Sequence, residues 1–117
     1  MTYVDGFVLP MPKKNIDAYK RMARKAGKVW MEHGALGYVE CAGDHLNVKF
    51  GLPFPKGIGT KTGETVVFAF ITFKSRAHRD KVNALVMADP RMQEPPGFMP
   101  FDMERMMYGG FKSIVNL

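Results

Sequence analysis

Trp30, His33, Tyr38 and Glu40 set aromatic surface beside groups that can give or take a proton. An aromatic wall with a few placed polar contacts is the usual makeup of a site for a small organic compound. Trp30 and His33 fall about one turn apart on a helical pattern. Tyr38 and Glu40 alternate onto one face of the strand that follows. The end of a helix lies close to the start of the next strand, so these four residues can cluster. Arg105 and Tyr108 extend the set. Like Glu40, Arg105 falls inside a segment that reads as a strand, where a charge must face solvent, a partner or a cavity. His78, on the apolar face of a second helix, completes the ligand-binding candidates. A plainer reading stands beside each: aromatic rings fill cores, and a histidine on an apolar face is more often a hydrogen-bonded structural group than a ligand. No Ser-His-Asp or Cys-His arrangement follows from the spacing, so no residue is assigned a catalytic role.

Other chemistry is weaker still. His33 and His78 invite a metal reading. With the two helices taken as roughly parallel, His33 ends the first and His78 begins the second, about 30 Å apart. No metal site and no cofactor is therefore expected. The lone Cys41 alternates with Val39 and reads as a small buried hydrophobe. Gly59, Lys61 and Thr62 hint at a phosphate loop, but Thr60 stands where that motif needs glycine, and a strand follows rather than a helix. Six of the ten methionines lie from Met87 onward, where they suit flexible packing better than copper capture.

The elements that must position these residues are legible from periodicity. Tyr3 to Pro10 reads as a first strand. Asn15 offers a helix cap, and Ile16, Tyr19, Met22, Ala23, Ala26, Val29, Trp30 and His33 then fall in one arc of about 140°. Gly34 stops that helix. Leu36 to Asp44 is a second strand, and residues 45–64 are loop-rich. Thr65 to Phe73 is a third strand with Val66, Phe68 and Phe70 on one face and Val67, Ala69, Ile71 and Phe73 on the other. Ser75 caps a second helix that Asp89-Pro90 ends. After an irregular, proline-rich stretch, Arg105 to Val115 reads as the last strand, where Gly109-Gly110 marks a bulge or a close backbone approach.

This order, βαββαβ over a single domain of residues 1–117, is α+β. It predicts a ferredoxin-like fold, with a four-stranded antiparallel sheet and two helices on one face. A third strand apolar on both sides needs cover on both sides. The helices supply one layer, and a second copy of the chain is expected to supply the other, as a homodimer with two sheets face to face.

Charge bounds the partners. The net charge is +6. The stretch Lys13–His33 carries Lys13, Lys14, Lys20, Arg21, Arg24, Lys25 and Lys28 against Asp17 and Glu32, a balance of +5 on one segment that includes the first helix. Nucleic acid is an unlikely partner, because that face lacks interleaved aromatics and no nucleic-acid motif is present. The longest apolar run, Val66 to Ile71, is too short to span a membrane. With no leader-like start and one cysteine, the expected location is the cytoplasm.

The segments YVDGFV (3–8), VEC (39–41), VVF (66–68), DPRM (89–92), MPFD (99–102) and RMMYGGF (105–111), with the basic first helix, resemble the YbaA-like group, a small bacterial family of uncharacterised proteins. The likeness spans nearly the whole chain. It implies the dimeric α+β barrel superfamily and brings no established activity. The family carries arginine directly after its mid-chain phenylalanine, whereas Phe54 is followed here by Pro55 and Lys56. The superfamily includes quinone-forming monooxygenases and haem-degrading enzymes. The haem-degrading members carry asparagine on the first strand, tryptophan on the third and histidine on the second helix. This chain has Asp5, then Phe68, Phe70 and Phe73, and only His78 in common, which argues against haem degradation. Two function classes remain. One is a small-molecule-binding dimer with a planar organic ligand and oxygenase-like activity. The other is a non-catalytic dimeric module that meets an anionic partner through the basic helix.

Overall fold

Strand β1 (Tyr3–Pro12) alternates Tyr3, Asp5, Phe7, Leu9 and Met11 onto one face, and that face is the buried one. The computed structural model describes residues 2–93, 97 and 99–117. A short 3-10 turn leads into α1 (Ile16–Glu32), whose buried positions Tyr19, Ala23 and Val29 follow the helical period. Strand β2 (Gly37–Ala42) is followed by a short helix, α2 (Phe54–Ile58), then β3 (Glu64–Phe73), α3 (Arg76–Ala88) and β4 (Met107–Lys112).

The four strands form one sheet, all neighbours antiparallel, in the order β2-β3-β1-β4. Both long helices pack on one face. Val29 of α1 and Val82 and Val86 of α3 meet Tyr3, Ile71 and Phe73 in one cluster. Tyr19 and Ala23 meet Leu9, Met11 and Val67 in a second. The other face carries Phe68, Met107 and Phe111, each more than 40% exposed, so a continuous apolar surface lies open.

Two sequence expectations, the Asn15 cap and the start of the last strand, need correction. The loop at 45–64 contains α2, which starts at Pro53-Phe54-Pro55 and ends on Gly59 in the left-handed region (φ 72°). Asn15 makes no capping bond, because its Nδ2 donates to the Pro100 carbonyl at 2.8 Å instead. Arg105 does not begin the last strand; it closes a 3-10 turn at Met103–Arg105, two residues before β4. Pro95 and Pro96, read as part of an irregular stretch, lie outside the described residues.

The separation argued for the two histidines also fails. β1 and β3 are antiparallel, so the helices that follow them are not parallel. The end of α1 meets α3: a Cβ placed on Gly34 would stand 3.6 Å from His78 Nε2.

Candidate functional site

Gly27 lets β2 and α1 approach unusually closely. A Cβ there would stand 2.6 Å from the Tyr38 ring, so only glycine allows the ring to lie on the helix backbone. From that position Tyr38 donates its hydroxyl to Glu40 Oε2 at 2.8 Å, and Tyr19 of α1 donates to Glu40 Oε1 at 2.7 Å. Burial, reinforced by the neighbouring Glu40 carboxylate, holds both phenols well above their ordinary pKa, so both stay protonated donors. Trp30 lies 6.0 Å from Tyr38, ring centre to ring centre, and donates its indole N–H to Asn83 Oδ1 at 3.0 Å.

Two spaces meet at this group. A cavity of about 160 Å³ lies between α1 and the sheet, walled by Trp30, Tyr38, Phe7 and Phe101. A larger cleft of about 860 Å³ runs between α1 and β2. Tyr19, Ala23, Tyr38 and Glu40 line both. Each Glu40 oxygen accepts one phenol and retains a second lone pair, so the carboxylate can take an N–H or O–H from a ligand in either space.

A second polar cluster lies deeper. Asp5 is 1% exposed, and its Oδ1 sits 3.7 Å from Arg79 Nε with no hydrogen bond on either atom. Arg79 spends its other nitrogens on Tyr3 Oη (2.9 Å) and Tyr108 Oη (3.2 Å). Burial raises the Asp5 pKa, and Arg79 partly opposes that shift. A Cβ on Gly110 would overlap Tyr3 Oη and crowd Arg79, so the close backbone approach expected at Gly109-Gly110 is real and falls on Gly110.

Residues 2–103 match a family described as "Protein of unknown function (DUF1428)". The chain is 43% identical over 116 residues to the uncharacterized protein YbaA of Escherichia coli K12, across 99% of each chain, and equally to its counterpart in Shigella flexneri. The chain belongs to the DUF1428 family. The YbaA-like resemblance read from the sequence is thereby shown.

In this DUF1428 protein the structure brings together Trp30, Tyr38 and Glu40, and leaves the other candidates elsewhere. His33 turns away from the cavity to Asp89, at 2.8 Å. Asp89, held far below the usual carboxylate range chiefly by Arg91 and then by His33, ties the end of α3 to the end of α1. His78 accepts the Lys74 backbone N–H at Nδ1 (3.0 Å) and stacks edge-on against Phe73. Arg105 grips Glu64 through both terminal nitrogens, at 2.9 and 2.8 Å, and the Gly59 carbonyl at 2.8 Å, which ties the turn before β4 to the start of β3. Tyr108 lies across the sheet beside Phe7 and Arg79. Cys41, read as a buried hydrophobe, is exposed on the open sheet face.

The residues that sequence reasoning missed are Tyr19, Gly27, Asp5, Arg79 and Asn83. A signal existed for the last three. Asp5 falls between Tyr3 and Phe7 on an apolar strand face, and Arg79 and Asn83 sit four residues apart on α3. Among the described residues no group of three His, Cys, Asp or Glu side chains could hold a metal, and no helix is long and apolar enough to cross a membrane.

Proposed function

We propose that this DUF1428 protein is a homodimer that binds a small planar organic compound between α1 and the sheet. The observation that carries the reading is the cavity of about 160 Å³ walled by Trp30 and Tyr38, with Glu40 at its edge. A cavity of about 150 Å³ is large enough for one aromatic ring. The ring would lie between Trp30 and Tyr38, and a ligand N–H or O–H would bond to Glu40. An oxygenase-like reaction on the held compound is the enzymatic form of this reading. Mass spectrometry of compounds released from natively purified protein tests the binding. Oxygen uptake on adding back the released compound tests the chemistry.

The sheet order β2-β3-β1-β4 with both long helices on one face supports the ferredoxin-like βαββαβ arrangement. The open apolar face supports the dimeric α+β barrel. Phe68, Phe70, Val39, Met107 and Phe111 form a surface that a second sheet would cover at about 10 Å.

A second reading, a non-catalytic module for an anionic partner, is favoured by α1 itself. Lys20, Arg24 and Lys28 line the larger cleft, and none forms an ion pair among the described residues. For nucleic acid the expectation stays weak, salt-sensitive binding.

A further inference from the structure

β2 is an edge strand, hydrogen-bonded only to β3. The Gly43 N–H donates to the Val66 carbonyl at 2.8 Å, which fixes the phase of the ladder. Antiparallel pairs alternate, so Gly37, Val39 and Cys41 turn their backbone groups toward β3. Tyr38, Glu40 and Ala42 turn theirs off the edge, and no other described element bonds to them. Native edges are usually blunted by lysine, proline or a bulge. The sequence GYVECA has neither residue and pairs without interruption, none of its residues is buried, and its one charge, Glu40, is held by tyrosines on the helix side.

The cleft beside this edge is long. Its α1 wall runs from Ile16 to Glu32, about 24 Å at ~1.5 Å per residue. That length matches about seven residues of extended chain. Lys20, Arg24 and Lys28 stand on this wall four residues apart, about 6 Å each along the axis. Alternate side chains of a strand repeat at about 6.6 Å, nearly the same spacing. Of the three acids lining the cleft, Glu32 is engaged by Arg91 and Glu40 by the two tyrosines, while Asp17, in the first turn of α1, forms no ion pair among the described residues and stands one turn before Lys20.

We propose that β2 and α1 form a strand-addition site for an extended acidic peptide segment. Its backbone pairs with Tyr38, Glu40 and Ala42, and its alternate carboxylates meet Lys20, Arg24 and Lys28. The proposal rests on the second reading above and gives the anionic partner its form. A second copy is a poor occupant. Pairing β2 with its counterpart would set two α1 helices side by side, each with the +5 balance of residues 13–33.

The test uses pools of immobilised seven-residue peptides with Glu or Asp at every second position and Val, Ile or Tyr between, against the same pools with Lys for the acids. The acidic pool should capture the protein, and about tenfold less of it in about 500 mM salt than in about 50 mM. The best acidic peptide should slow amide exchange at Tyr38, Glu40 and Ala42. Ala42→Pro, which removes one outward donor and leaves the β2–β3 bonds, and Arg24→Glu should each weaken that peptide about tenfold with melting temperature retained. Capture without protection at those three amides overturns strand addition and leaves an anionic partner on α1. Equal capture by the acidic and lysine pools overturns both.

Discussion

Trp30 donates its indole N–H to Asn83 Oδ1 at 3.0 Å, so a side chain of α3 orients the ring that walls the cavity under α1. Asn83 in turn points Nδ2 at Asp5 Oδ2, 3.4 Å away, and so joins that wall to the buried carboxylate on β1. Asn83→Leu removes both bonds. It should lower unfolding free energy by about 1–3 kcal/mol, because Trp30 Nε1 and Asp5 lose partners they cannot replace. Urea denaturation followed by Trp30 fluorescence measures it, and an unchanged midpoint would mean the bond is not made in solution.

Gly27→Ala separates intrinsic helix preference from packing. Alanine is the better helix former by about 1 kcal/mol. The added Cβ would nevertheless meet the Tyr38 ring at 2.6 Å, and overpacking of this kind costs about 1–3 kcal/mol. The expected sign is therefore a loss of stability. A gain would show that Tyr38 does not lie on the helix backbone.

The two faces of β3 should answer differently to a buried charge. Ile71 is 4% exposed in the helix-side core, so Ile71→Asp should unfold the chain. Phe68 faces the open side, so Phe68→Asp should leave circular dichroism unchanged and convert dimer to monomer. Light scattering of the wild type at micromolar concentration decides first, since a monomer mass there removes the dimer altogether.

Glu64 makes the stability of the fold depend on pH. Its pKa is lowered to about 2 by the hydrogen bonds from Arg105 and from the Lys61 backbone. A carboxylate depressed on folding stabilises the protein above its unfolded pKa of about 4.5 and loses that contribution as pH falls toward 2. Arg105→Met should lower the melting temperature at pH 7. It should also flatten the decline in stability between pH 4.5 and 2. Melting curves across that range check it, and parallel wild-type and variant profiles would exclude the pair as the cause.

Periodicity carried most of the fold. The 3.6-residue stripe placed Tyr19, Ala23 and Val29 on the buried side of α1, and the two-sided strand at 65–73 became the interior β3. Which side of β3 stays open was not legible, because Phe68 and Ile71 are equally apolar and only the helices choose between them. Arg105 was misplaced because no glycine or proline separates it from the strand that begins at Met107, while its bonds to Glu64 and Gly59 are more than 40 residues away in sequence. His33 was drawn to the cavity by its helical spacing from Trp30. Its partner Asp89 lies at the far end of α3, a long-range pairing that local pattern does not encode. The site was half legible for the same reason: Trp30, Tyr38 and Glu40 are close in sequence, whereas Asn83 is 53 residues from Trp30.

The most direct test of the binding reading is native mass spectrometry of wild-type protein beside Ala26→Leu. Ala26 lines the cavity, and leucine there fills space that the ligand would otherwise take. The account predicts a wild-type dimer carrying a small organic compound, and an Ala26→Leu dimer with an equal or higher melting temperature that carries none. A wild type free of bound compound, or a variant that retains the compound in full, would contradict it.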